Sequence, residues 1–295
     1  LNFLKRTCSA LYVMPFSSVM NEQKRKKLKS ILEKVPAGFL VDSAWMRKME
    51  IRRSSTHDYV RRGWLEPVIH GVYRRPSPRE GAAEKITDWR IAVLSAQTIM
   101  DYKFHVGGRT ALALQGHVHY LALGAAENIF VYGSAPRWLI SLPTNGLVIA
   151  RSTRLFDTAD LGVEPLPTEA DQILNLQRWA IRASTPERAV LETLDELPEN
   201  ESFHNIDAIF EGLSNLRPRR VTELLAACTK VQVKRLFFIF ADRHKHAWLK
   251  HVDRSAVDLG SGDRSFVKGG KLHPVYRITV PEEYLPGQTE GANGP

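Results

Sequence analysis

Between Asn21 and Pro76 the apolar residues keep first one period and then another, and this change limits the fold more than any other feature of the chain. In "NEQKRKKLKSILEKV", Leu28, Ile31, Leu32 and Val35 recur at i, i+3, i+4 and i+7, the spacing of one helix face. Pro36-Ala37-Gly38 stops that helix, and Phe39-Leu40-Val41 is a short apolar link. Asp42 can cap a second helix, "DSAWMRKME", with Trp45 and Met49 inward at i and i+4. The pattern predicts a third helix starting at Ser54 or Ser55, with Ser55-x-x-Asp58 in capping-box form and Gly63 at the position that ends it. In "WLEPVIHGVYRRP" the period then falls to two around a His70-Gly71 turn, which predicts a β-hairpin. Three helices followed by a hairpin give the winged helix-turn-helix plan.

The charge follows the same division. The 295 residues carry a net +9, and residues 21–79 hold 15 Lys and Arg against 6 Asp and Glu. Residues 80–295 hold 24 against 26, so the excess lies in the first quarter of the chain. A basic module on a neutral body is the footprint of a polyanion binder. Duplex DNA offers phosphates to Lys and Arg, and a major groove wide enough for one helix.

In that arrangement the third helix enters the groove. Ser54, Ser55 and His57 at its start, and Arg61 one turn on, are placed to reach base edges or phosphates. Arg52, Arg53 and Arg62 suit the backbone, while Arg74 and Arg75, with His70 at the wing tip, suit phosphates or the minor groove. Asp58 fits less well, because an acid on the outer stripe repels phosphate. It can accept from a cytosine amino group or pair with Arg61 or Arg62, and the intrahelical pair is the favoured reading. Tyr59, Val60, Trp64, Leu65, Val72 and Tyr73 are assigned to the core.

Beyond Pro76 a linker, "RRPSPREGAAEK", leads to a long amphipathic helix from Glu84 to about Tyr102. "HVGGRTALALQGHVHY" reads as a Gly-Gly turn and a short helix. "AENIFVYGS", "RWLISLP" and "GLVIARST" are strand candidates. "STPERAVLETLDELPEN" is a helix with Pro186 in its first turn, and three further helices follow before an extended element from Tyr276 to Val280. The expected fold class is α/β (α+β): a winged helix-turn-helix over 21–79, then a larger mixed α/β domain over 80–282. Residues 1–20 are expected to be a disordered extension rather than a targeting signal, and 283–295 a disordered tail.

The segment "GFLVDSAWMRKMEIRRSSTHDYVRRGWLEPVIHGVYRRP" resembles the N-terminal module of AbiEi antitoxins of type IV toxin–antitoxin systems. "GGRTALALQGH", "STPERAVLETLDEL" and "KGGKLHPVYRITVP" are similar to later segments of the same family. The resemblance spans roughly residues 25–282. It implies a winged helix that binds inverted repeats in double-stranded operator DNA and represses its own operon. It also implies a C-terminal domain that counters an AbiEii-like nucleotidyltransferase toxin without a stable complex.

No catalytic constellation rises above background. His117-x-His119 and His244-x-His246 lack companion ligands at zinc-site spacing, and Gly107-Gly108 lacks the context of a phosphate loop. Glu187, Glu192, Asp195 and Glu196 read as a solvated acidic helix face. No cofactor or metal is expected. The two distant cysteines, Cys8 and Cys228, fit a reducing cytoplasm, and no apolar run of about 18 residues suggests a membrane span. Two other classes stay open: a DNA-processing enzyme with a diverged nuclease domain, and a protein-interaction module whose basic surface meets an acidic partner.

Overall fold

The computed structural model describes residues 22–77, 86–117, 127–167 and 179–287. The expectations for residues 1–20, for linker residues 78–85 and for His119 lie outside those residues. The helix expected from Glu84 begins only at Trp89, because Thr87 bridges Thr144 and Asp88 caps Arg90 N. Helix α1 (Glu22–Lys34) buries Leu28 and Ile31, with Val35 buried just after its end. The apolar link becomes a strand, β1 (Leu40–Asp42). Asp42 opens α2 (Ser43–Lys48), its carboxylate accepting from Trp45 N at 2.7 Å. After α3 (Arg53–Arg61), strands β2 (Glu66–Ile69) and β3 (Val72–Arg74) form the wing. The sheet order is β1-β3-β2 and both pairings are antiparallel.

Helix α3 ends as its glycine dictates. Gly63 sits at φ +71°, where residues with a Cβ are strained. Gly63 N donates to Val60 O at 3.0 Å and Trp64 N to Tyr59 O at 2.9 Å, the paired bonds of a Schellman end. The start differs from expectation. The helix winds from Arg53 with Arg52 as its N-cap, without a side-chain cap, so no capping box forms at Ser55. The reason lies upstream: buried Ile51 is held by its N–H on Met46 O, and Thr56 N already bonds Arg52 O at 3.0 Å.

The larger body is built on a five-stranded sheet of order β6-β5-β4-β8-β7, made of β4 (Phe104–Val106), β5 (Glu127–Gly133), β6 (Gly146–Arg151), β7 (Val163–Pro167) and β8 (Ala180–Ser184). Pairs β5–β6 and β4–β8 are parallel and the other two antiparallel, so the sheet is mixed. Helix α4 (Trp89–Leu94) runs on as a π-helical turn to Ile99, and α5 (Gly108–Leu114) follows the Gly-Gly turn. The long first helix of the body therefore stops short of Tyr102. "RWLISLP" is no strand: α6 (Arg137–Ser141) crosses from β5 to its parallel neighbour β6, a connection that parallel pairing requires. Helices α7 (Pro186–Leu194), α8 (Phe203–Gly212), α9 (Pro218–Ala227) and α10 (Val231–His244) complete the body.

The last extended element is shorter than Tyr276 to Val280. Only β10 (Thr279–Val280) is strand, paired with β9 (Lys271–Leu272), because Arg277 takes φ +53°. Order also passes residue 283, contrary to expectation. Tyr284 is buried, with its ring 5.3 Å from that of Phe203.

The winged helix is seated on the body by polar and aromatic contacts. Asp42 Oδ2 accepts from Tyr102 OH at 2.5 Å and from Trp138 Nε1 at 2.9 Å. Leu40 N donates to Ser95 Oγ at 2.9 Å, and the rings of Phe39 and Trp179 lie 5.2 Å apart.

Candidate nucleic-acid interface

Helix α3 has two unlike faces. Ser55, Thr56 and Tyr59 are buried, whereas Arg52, Arg53, Ser54, His57, Arg61 and Arg62 are exposed. Ser55 is 7% exposed, so it turns inward and cannot be the base-reading residue expected of it. It stands one turn before Tyr59 and so shares that residue's buried side. Burial, aided by the charge of Asp58, raises the pKa of Tyr59. Arg61 Nη2 lies 3.3 Å from Asp58 Oδ1, the intrahelical pair favoured from sequence. Arg62 packs its guanidinium 5.6 Å from the Trp64 ring centre.

The wing divides its basic residues differently. His70 is exposed at the turn, beside Gly71 at φ +77°. Gly71 O accepts from Ser43 N at 2.8 Å and from Ser43 Oγ at 3.1 Å, tying the wing tip to the start of α2. Arg74 and Arg75, expected to grip phosphate, are instead used inside the fold. Arg74 is 16% exposed and its Nη2 lies 3.4 Å from Glu66 Oε2 across the hairpin. Arg75 Nη1 donates to Leu32 O and Val35 O, both at 2.6 Å. It thereby satisfies carbonyls at the end of α1 that have no helical partner. The exposed set that remains is Arg52, Arg53, Ser54, His57, Arg61, Arg62 and His70. Sequence reasoning passed over Arg47 and Lys48, exposed in the last turn of α2. For Arg47, two residues after buried Trp45 and so on the far side of the helix, spacing was the available signal.

The acidic helix face is corrected more sharply. Glu187, Glu192 and Glu196 are all buried on or next to α7. Glu192 accepts from Gly108 N at 2.9 Å, Ser184 Oγ at 2.7 Å and Arg188 Nε at 2.7 Å, and lies 3.0 Å from His105 Nε2. Burial pushes its pKa up, but His105 and Arg188 outweigh burial and hold it below the ordinary value. Glu187 is likewise lowered, with Arg217 bonding it through both backbone and side chain. Glu196 forms a two-pronged pair with Arg151, at 2.6 and 2.8 Å. The helix carries these acids inward because arginines meet each of them. The histidines once weighed as ligands are also engaged: His244 Nε2 lies 2.7 Å from Asp207 Oδ1, and His246 Nε2 lies 2.7 Å from Phe210 O.

Comparison with known proteins places this architecture. Residues 126–281 match the family described as "Transcriptional regulator, AbiEi antitoxin, Type IV TA system". The chain belongs to the AbiEi antitoxin family. Residues 24–123 match the family's N-terminal domain, so that domain's match runs past the wing through α4, β4 and α5 of this AbiEi antitoxin. Among solved structures, the RV2827C protein from Mycobacterium tuberculosis shares the fold. Its TM-score is 0.52 at 13% identity, covering 87% of this chain and 90% of that one. None of the curated proteins matches in sequence. Among the described residues of this AbiEi antitoxin, no helix is long and apolar enough to cross a membrane.

Proposed function

We propose that this antitoxin is an autorepressor that lays α3 in the major groove of its own operator and sets its wing beside the duplex. The observation that carries the reading is the exposed stripe of α3, with Arg52 and Arg53 at its start and Arg61 at its end. The operator is an inverted repeat of double-stranded DNA. The body counters an AbiEii-like nucleotidyltransferase toxin without a stable complex, and the protein acts in the cytoplasm with no catalytic role or cofactor. A gel-shift with the DNA upstream of the gene tests the first half. Unaltered binding after Arg53→Ala with Arg61→Ala would sink the helix assignment. Co-expression tests the second half: growth restored by the full chain, with no toxin retained on it in a pull-down, is the expected result.

A further inference from the structure

The segment "KLHPVYRITV" lies far along the chain from the winged helix and sets exposure beside burial. Val275 is 67% exposed, more than any other large apolar side chain among the described residues, while His273 two residues earlier is 5% exposed. His273 Nδ1 accepts from Val275 N at 3.3 Å and from Tyr276 N at 3.2 Å. Burial lowers the pKa of this histidine against the pull of the Asp242 carboxylate, so the ring is neutral near pH 7. With Nδ1 accepting, the proton of a neutral ring sits on Nε2. That N–H has no hydrogen-bond partner among the described residues, and a buried donor left so is costly.

His273 lines a cavity of about 310 Å³ between the last turns of α10, its own turn and Leu285. That volume is at the lower end of the range for small-molecule sites. Ile239, Val275 and Leu285 give the cavity apolar walls. Among the described residues of the lining Asp242 is the one acid, and Arg254 and the Tyr276 hydroxyl both bond its carboxylate. A cationic ligand would have to compete with that pair for a counter-charge. The cations of the lining differ from one another. Arg243 is held by Asp207 and by Glu283 O. Lys245, exposed in the left-handed conformation at the end of α10, has no partner for its ammonium among the described residues. The cavity thus presents one buried neutral N–H, one ammonium and an apolar wall. A carboxylate or phosphate oxygen accepts from such donors, and bonds to a charged acceptor are the stronger kind. We propose that this cavity binds a small organic anion, with its apolar body against Val275 and Leu285 and its anionic group on His273 Nε2–H, countered by Lys245.

Benzoate and phenyl phosphate serve as anionic probes of the full chain, with benzamide and benzylamine as neutral and cationic controls. Methyl resonances of Val275 and Leu285 report occupancy, and titration gives the affinity. The anions are expected to shift both resonances saturably, the tighter of the two telling a carboxylate site from a phosphate one. The controls are expected to bind about tenfold more weakly. His273→Asn keeps an acceptor for the two backbone N–H groups but removes Nε2–H. Lys245→Gly suits the left-handed position and removes the charge. Each variant is expected to weaken the anion about tenfold with an unchanged urea midpoint. Should His273→Asn lower the midpoint, Lys245→Gly carries the test, and it is expected to narrow the gap between benzoate and benzamide. Anion affinity unchanged in the variants, controls that bind as tightly as the anions, or no saturable shift with any probe would overturn the proposal. Operator binding enters none of these readouts, so such a failure leaves the autorepressor reading standing.

Discussion

Oε1 of Glu192 lies 2.7 Å from Nε of Arg188, one turn earlier on α7, and neither side chain is more than 1% exposed. The Arg188 guanidinium also donates from Nη1 to Ala159 O and Leu161 O and sits 4.5 Å from the centre of the Phe156 ring. A charge pair so deep is stabilising only while both partners stay, because either one alone is a buried ion without a counter-charge. Glu192→Ala is therefore expected to cost about 3–5 kcal/mol, read as a lower urea midpoint. A loss below about 1 kcal/mol would mean that water reaches Arg188 and replaces the carboxylate.

The same cluster gives the protein its acid limit. Glu192 and Glu187 have folded pKa values below the ordinary value of 4.5, so the folded state holds them ionised more strongly than the unfolded chain does. Their contribution is complete above the unfolded value and is lost as pH falls through the folded one. Urea midpoints measured downward from pH 7 should thus hold until about the carboxylate range and then fall. Glu192→Gln should flatten that fall. An equally steep decline in the variant would place the acid sensitivity elsewhere.

These residues also mark where the sequence was legible. Leu28, Ile31 and Val35 declared α1 by spacing, Asp42 the cap of α2 and Gly63 the end of α3, because each rule there depends on a few neighbours along the chain. Arg75 and Glu192 could not be read in that way. Arg75 is held by carbonyls of α1, and Glu192 by Gly108, Ser184 and His105, all reached only after the chain has folded back. Ser55 failed for a smaller reason: with the helix starting at Arg53 it is no cap but a first-turn residue, four before Tyr59 and so on the buried side. "RWLISLP" has strand composition, but the parallel pairing of β5 and β6 makes it their crossover.

Asp42 joins the two parts of the chain, and its loss should be felt in both. One oxygen caps α2 on Trp45 N, and the other holds Tyr102 OH and Trp138 Nε1. Asp42→Ala removes a cap worth about 0.5–2 kcal/mol and leaves two part-buried donors unpaired at about 1–3 kcal/mol each. Thermal unfolding should show a drop several times that of Tyr102→Phe, which deletes one bond only.

Alkali gives a separate reading of the same joint. Burial, then the carboxylate of Asp42, pushes the pKa of Tyr102 up from 10.0 to about 12. The fold favours the neutral phenol, so this contribution is complete below the free tyrosine value and is lost as pH rises through the folded one. Absorbance titration should find a late-ionising tyrosine that disappears in Tyr102→Phe and shifts down in Asp42→Ala. No change in either variant would mean that the joint is open in solution.

The two ends of the basic segment should respond differently to truncation. Arg53 is exposed at the first turn of α3, so Arg53→Ala should leave the urea midpoint nearly unchanged. If Arg53 meets a phosphate, the slope of log affinity against log salt should shrink by about 0.9. Arg75 bonds two carbonyls at the end of α1, so Arg75→Ala should lower stability by about 1–3 kcal/mol and leave the salt slope alone. Measuring both variants for both quantities separates charge that faces a ligand from charge that closes the fold. A reduced slope in Arg75→Ala at full stability would return that arginine to the DNA face.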